Sequence, residues 1–334
     1  MNNVERFQKV FRFQPVDRLP MIEWAVWWNL TLERWYEEGL PKDITKPGKI
    51  RDWFGQDSQE QIYIHATAPG CPTPASHGAG IITNKADYDR IKPFLYPREN
   101  FIGPSLEEAQ QWARQQDEGN TVTWVSLQGY FWWPRVLLGI ERHLYAFYDQ
   151  PDLMHEINQD LTDFNIWALD QLCQLVRPTF MTFFEDLSYN HGPMLSKKAF
   201  YTFLAPYYEQ IVPVLEKYNI IPIVDSDGDI TQVVPWFKSV GIKGILPLER
   251  MAGVDVGKLR ADHPDFILLG AFDKTVMKLG EAAMRQEFER LLPTMRTGGF
   301  IPSVDHQTPP DVSIENYRIY LRLLEEYAYK AVEK

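Results

Sequence analysis

Three aspartates at alternate positions, Asp225, Asp227 and Asp229, follow directly on an apolar run in "IIPIVDSDGDI". Like charges at that density are costly unless a cation, a hydrogen-bond donor or water answers them. A calcium loop is the first chemistry to test. It needs glycine at the sixth position and glutamate at the twelfth. Counted from Asp225, those places hold Ile230 and Trp236, which excludes it. If the strand continues, its two-residue period turns Asp225 and Asp227 to the same side. A metal or a donor can then bridge them. Bracing of the loop by Asp227 is the plainer alternative, and Asp229 reads as a cap of the segment that follows.

Other groups of the same kind close other apolar runs. Glu185 and Asp186 are neighbours in "TFMTFFEDL", so only one can face a given side, and either suits a general acid or base. Glu249 ends "KGILPLE", Asp273-Lys274 follow "FILLGAF", and Asp305-His306 end "GFIPSVDH". Glu23-Trp24 end "LPMIEW", and Gln128 and Tyr130 follow "TVTWVSL". Trp24, Gln128, Tyr130, Glu249 and Asp273 are candidate binding residues on this placement. Trp28, with Trp24, Trp27 and Trp35, belongs either to core packing or to an aromatic-walled pocket. His191 in "YNHGP" reads as part of a turn, and His65 as core.

What positions these groups is a recurring unit. Eight apolar runs, at 19–24, 60–66, 121–127, 179–187, 220–228, 243–249, 265–273 and 299–306, are rich in β-branched or aromatic residues. Helical spacing fills the intervals, at 150–176, at 196–217 with Ser196 as N-cap and a kink at Pro206, and at 280–297 before Gly298-Gly299. Strands alternating with helices imply a parallel sheet, and eight of them predict a (β/α)8 TIM barrel as one domain over 1–334. The doubly wound sheet is the rival, but no glycine fingerprint follows any run. Residues 67–120 read as an excursion near the barrel mouth. In such a barrel the chemistry sits at the C-terminal strand ends, where the acidic and imidazole groups fall.

The net charge of -11 opposes a nucleic-acid partner, because phosphate backbones would be repelled. The most apolar window, "GYFWWPRVLLGI", is too short for a membrane span and holds Pro134 and Arg135. Two cysteines, Cys71 and Cys173, imply no disulfide framework. The N-terminal "MNNVERFQKVFRF" is unlike a signal peptide. A cytoplasmic protein acting on a small molecule is the expectation.

The motifs "ERFQKVFRFQPVDRLP", "SLQGYFWWPRVLLG", "FFEDLSYNHGPMLSKKAFYTFLAPYY", "VDSDGDI", "GILPLE", "LLGAFDK" and "SVDHQTPPDVSIENY" run in an order that resembles the uroporphyrinogen decarboxylase superfamily. That superfamily holds decarboxylases of haem synthesis and cobalamin-dependent methyltransferases. The decarboxylase branch uses an arginine-rich loop after the first strand. Here "EWAVWWNLTLERWYEEG" offers only Arg34 among several glutamates, so an octacarboxylate substrate fits poorly. That branch's catalytic aspartate matches Asp57 and its late histidine His306. Its tyrosine falls near Val136 and its serine near Asp186.

The methyltransferase branch carries zinc on a His-x-Cys pair at the fifth strand and on a late cysteine. By resemblance these places fall on Asp225, Asp227 and His306. Oxygen and imidazole ligands suit zinc and harder metals, and an ether, amine or alcohol more than a thiol. The resemblance therefore implies metal-assisted methyl transfer to a corrinoid on a partner protein, with Glu185 or Asp186 as acid. A decarboxylase using Asp57 and His306, and a barrel that only binds a tetrapyrrole or corrinoid, are the alternatives. Relatives often dimerise, so a homodimer is also expected.

Overall fold

Seven of the eight apolar runs form one sheet of parallel strands. The computed structural model describes residues 1–333. The strands are β1 (Gln59–Tyr63), β2 (Val122–Gln128), β3 (Phe180–Phe184), the short hairpin β4 (Ser188–Tyr189) and β5 (Gly192–Pro193), β6 (Ile221–Asp225), β7 (Gly244–Leu246), β8 (Ile267–Phe272) and β9 (Phe300–Val304). Outside the hairpin they pair in the order β1-β2-β3-β6-β7-β8-β9. Helices fill most crossovers, as parallel neighbours require. The sheet curls into a TIM-barrel-like α/β fold.

The run 19–24 corrects the expected eighth strand: it forms no ladder. Pro20 has no N–H to give, and Asp57 and Glu23 bond in place of a neighbouring strand. Met21 donates its N–H to Asp57 Oδ2 at 2.9 Å and accepts the Asp57 N–H at 2.9 Å. Gln59 Nε2 donates to the Glu23 carbonyl at 2.6 Å. On the other side Glu23 Oε1 accepts from Ser303 Oγ at 3.0 Å and from Val304 N–H at 3.3 Å. The segment thus spans the gap between β1 and β9 mostly through side chains, with one backbone bond, from the Asp57 N–H to the Met21 carbonyl.

Helix signals held where a cap was visible. Ser196 Oγ accepts the Ala199 N–H at 3.1 Å and opens Lys197–Phe203. The helix is interrupted at Leu204, and Pro206 falls in the first turn of Ala205–Lys217, where a missing N–H costs little. Residues 67–120 run irregularly around the helices Lys85–Ile91 and Leu106–Asp117. Bridges Ile64–Ile102, Thr67–Leu95 and Ala79–Gly139 tie them down. No helix among the described residues is long and apolar enough to cross a membrane.

Inside the barrel, a polar rung links three strands: Gln61 Nε2 donates to Ser126 Oγ at 2.8 Å, and Ser126 Oγ meets Thr182 Oγ1 at 2.8 Å. Gly270 shows how tightly β8 approaches the loop after β7. Its φ is +108°, and a Cβ there would lie 1.9 Å from the Pro247 carbonyl oxygen.

Candidate active site at the barrel mouth

Five neighbouring strands, β3, β6, β7, β8 and β9, deliver charged groups at their C-terminal ends. β6 ends on Asp225, and its loop carries Asp227. The Glu185 N–H donates to the Asp225 carbonyl at 2.9 Å, extending the ladder one residue past β3. Asp186 then turns into a positive φ of 39°, a conformation that aspartate tolerates better than most residues. The turn sends Glu185 and Asp186 in different directions. Asp186 lines the mouth cavity.

Glu185 is fully buried and faces the wall. Its Oε1 accepts from Tyr130 N–H at 2.8 Å and from the Tyr208 hydroxyl. Its Oε2 accepts from Phe131 N–H at 2.7 Å and Trp132 N–H at 3.3 Å. These amides are orphan donors at the start of the helix Trp132–Leu138, so Glu185 caps that helix from a distant segment. Burial pushes its carboxyl up to about 7, against the pull of those donors. The expectation of Glu185 as an acid at the cavity is corrected on this ground.

The cavity has a volume of about 270 Å³. Trp24, Tyr63, Trp124 and Phe184 supply its rings, and Asp186, Asp225, Asp227 and His306 its charge. His306 Nε2 stands 3.5 Å from Asp227 Oδ2. The Asp227 N–H donates to Asp186 Oδ1 at 3.1 Å, and the Gly228 N–H to Glu249 Oε2 at 2.9 Å. Behind these, Asp305 is fully buried and accepts from Arg250 N–H at 2.9 Å and Lys274 N–H at 3.2 Å. Lys274 Nζ lies 3.6 Å from both Glu249 Oε1 and Asp305 Oδ1. Asp305 and Lys274 therefore brace the loops after β7, β8 and β9. A larger cavity of about 600 Å³, beside Gly78–Gly80 and the helix Ile140–Asp149, holds none of this cluster.

Electrostatics follow from the crowding. Burial, then the neighbouring Asp227 charge, raises Asp186 to about 6. Burial, then Asp186, Asp227 and Glu249, pushes Asp225 well up. Burial raises Asp305 to about 6. His306 moves up chiefly because Asp227 accepts its hydrogen bond.

Two sets of side chains offer ligand atoms within 4.8 Å of one another: Asp227, Glu249 and His306, and Asp186, Asp225 and Asp227. Two carboxylates and an imidazole are a donor set that suits zinc or a harder divalent ion. Carboxylates crowded at a positive deficit are also what such an ion would relieve. Asp227 and His306 thus meet, but Glu249 stands where the sequence suggested Asp225. Asp225 groups with Asp186.

Other expected site residues lie elsewhere. Asp57 precedes β1, at the opposite end of the strand from the mouth. Its Oδ1 accepts from Arg18 Nη2 at 2.6 Å and its Oδ2 from Arg18 Nη1 at 2.8 Å. Asp57→Asn should therefore cost about 2 kcal/mol in a urea melt and leave turnover within about twofold. Lost turnover at unchanged stability would restore it to the chemistry. Trp28 precedes the helix Asn29–Glu37 and is 43% exposed, outside the cavity. Tyr130 is buried among Phe183, Tyr207 and Tyr208. Gln128 closes β2 with its carbonyl accepting from Asn165 Nδ2 at 3.4 Å, away from the cavity lining. Asp273 caps its own turn, accepting from Thr275 N–H at 2.9 Å. His191 sits in the β4–β5 turn, as read, but His65 is exposed rather than core.

Tyr63, Trp124, Phe184 and Gln61 were missed as cavity residues. Period-two alternation in "EQIYIHA" puts Gln61 and Tyr63 on one face, and that signal was available.

A parallel barrel with acidic and imidazole groups gathered at its C-terminal mouth defines a class with many chemistries. The family follows from the sequence: residues 79–327 match the model of the uroporphyrinogen decarboxylase (URO-D) family, and the chain belongs to it. No curated protein sequence matches. Among solved structures, a methyltransferase from Methanosarcina mazei superposes with a TM-score of 0.65 at 13% identity, covering 98% of this chain and 99% of that one. A candidate vitamin-B12-independent methionine synthase from Listeria monocytogenes gives 0.47 at 10% identity, covering 96% and 99%. At these identities the likeness is one of fold.

Proposed function

We propose that the chain is a methyltransferase that takes a methyl group from a small O- or N-methyl compound and hands it to the cobalt(I) of a corrinoid carried on a partner protein. The observation that carries this reading is the convergence of Asp227, Glu249 and His306 beside a cavity of about 270 Å³. That volume lies near the lower end of small-ligand sites. Charge also argues against the octacarboxylate of the decarboxylase branch: Arg34 is bound to Glu38 at 2.6 Å, and among the described residues no arginine lines the cavity. Asp57, which a decarboxylase of this family would need, is held by Arg18.

Asp227, Glu249 and His306 would hold a divalent metal such as zinc, which when bound supplies Lewis acidity towards the heteroatom bearing the methyl group. The aromatic walls orient the donor and exclude water. Asp186 lies on the cavity wall with its carboxyl raised to about 6, so it can deliver a proton to a leaving alkoxide or amide. The Methanosarcina fold neighbour is named a methyltransferase, which favours methyl transfer over decarboxylation as the reaction type to test first.

The purified chain, loaded with zinc, is mixed with cob(I)alamin and a panel of methoxy, methanol and methylamine donors, and the loss of the cobalt(I) absorption is followed. Donor-dependent loss with one demethylated product per cobalt supports the reading. Carbon dioxide release from a carboxylic acid with no cobalt change, or tight corrinoid binding with no turnover for any donor, would overturn it.

A further inference from the structure

The mouth cavity pairs flat rings with two carboxyl groups, Asp186 and Asp225, that no cation among the described residues pairs. Trp24 is fixed by its Nε1–H, which donates to the Val304 carbonyl at 2.8 Å. Tyr63 and Phe184 lie nearly parallel, with ring centroids 6.2 Å apart. Trp124 completes the aromatic lining, and Asp186 and Asp225 line the same space. The cations nearby are committed elsewhere. Lys274 is shared by Glu249 and Asp305, and His306 faces Asp227. The Arg135 guanidinium sits 4.9 Å over the Trp132 ring and reaches only the backbone oxygen of Asp186, at 3.5 Å. Among the described residues, no hydrogen bond reaches the Asp225 carboxylate, and Asp186 receives only the Asp227 N–H.

Each class of donor meets this lining differently. A neutral ether leaves the two carboxylates unanswered, and an anion is repelled by them. A methylated ammonium answers both features. Its charge is spread over methyl groups that pack on aromatic faces, and it asks for no hydrogen bonds beyond what carboxylates give.

We infer that the methyl donor is a cationic N-methylammonium compound, held by Trp24, Tyr63, Trp124 and Phe184 against the counter-charge of Asp186 and Asp225. This rests on the cavity being the methyl-donor site. The transfer balances without a proton: a positive nitrogen has no lone pair for a metal and leaves as a neutral amine. With this donor Asp186 serves as counter-charge, and the Lewis-acid and proton-donor roles above belong to neutral donors. The C–N bond breaks with its electron pair left on nitrogen, carbon takes a pair from cobalt(I), and a neutral amine remains. That amine has lost its Coulomb attraction to the two carboxylates, which favours its release.

The test is binding, so it needs neither corrinoid nor metal. The full chain, freed of metal by a chelator, is titrated calorimetrically with tetramethylammonium, with choline, and with the carbon isostere of choline, in which a quaternary carbon replaces nitrogen. Choline should bind at least about tenfold more tightly than its isostere. The preference should shrink in added salt and collapse in Asp225→Asn. Equal binding of choline and its isostere overturns the inference, as does failure of both cations to bind at tens of millimolar. Cation-selective binding with no methyl transfer would sink the proposed reaction and leave the cation pocket standing. Methyl transfer from a neutral ether without cation preference would do the reverse.

Discussion

His306→Ala should lose bound divalent metal and slow methyl transfer from a neutral ether, alcohol or amine donor by about a thousandfold or more, while the fold survives. His306 is one of three ligand-bearing side chains within 4.8 Å of one another, and the only nitrogen donor among them. A Lewis acid is worth several kcal/mol to a transition state, and each 1.36 kcal/mol is about tenfold in rate. Stability should change little, because the imidazole is half-buried and its contacts are Asp227 and the edge of Trp24. The pH dependence carries a sign. Asp227 holds His306 protonated above the usual histidine range. A metal needs the neutral ring, so metal affinity in the wild type should climb as pH rises through that raised value. Metal analysis after gel filtration at several pH values checks both points. Metal retained in His306→Ala with full activity would remove the histidine from the site. Affinity that falls with rising pH would contradict its role as a ligand.

The architecture was legible because it rests on periodicity, and periodicity survives without knowledge of neighbours. The runs from Val122, Phe180, Ile221, Gly244, Ile267 and Phe300 are short and apolar with turn residues at their ends, and each became a strand. The run at 19–24 has the same composition. What it lacks is a partner whose ladder it can join, and only the coordinates show that Asp57, Ser303 and Val304 take over its bonding. The site was legible to the level of strand ends. That Asp227 and His306 share a cavity follows from β6 and β9 both opening at the mouth. Which carboxylate stands third depended on loop conformation, and no spacing rule sets that. Glu249 reaches the site because the Gly228 N–H donates to it across two loops. Asp273 and Tyr130 occupy equally suggestive sequence places, but Asp273 closes on Thr275 and Tyr130 turns into the core.

Glu185→Gln should destabilise the chain by about 1–3 kcal/mol, the usual cost of leaving a buried hydrogen-bond donor unmatched. The effect follows from counting donors. Four hydrogen-bond donors converge on the two carboxylate oxygens, two on each. An amide keeps one oxygen and turns an NH2 group towards donors, leaving buried N–H groups unmatched at the start of the helix Trp132–Leu138. There is no room to relax. A Cβ on Gly129 would lie 2.4 Å from Glu185 Cδ and 2.3 Å from the Phe184 carbonyl oxygen, so the turn after β2 is already pressed against this carboxylate. Asp186→Asn, one residue on, should behave in the opposite way. It removes one of the mutually repelling charges around Asp225 and Asp227, so stability should hold or rise while turnover falls. Urea denaturation of the two variants, set beside their turnover, separates the roles of these neighbours. A Glu185→Gln protein as stable as wild type but inactive would show that the helix-capping role is wrong and that Glu185, not Asp186, handles the proton.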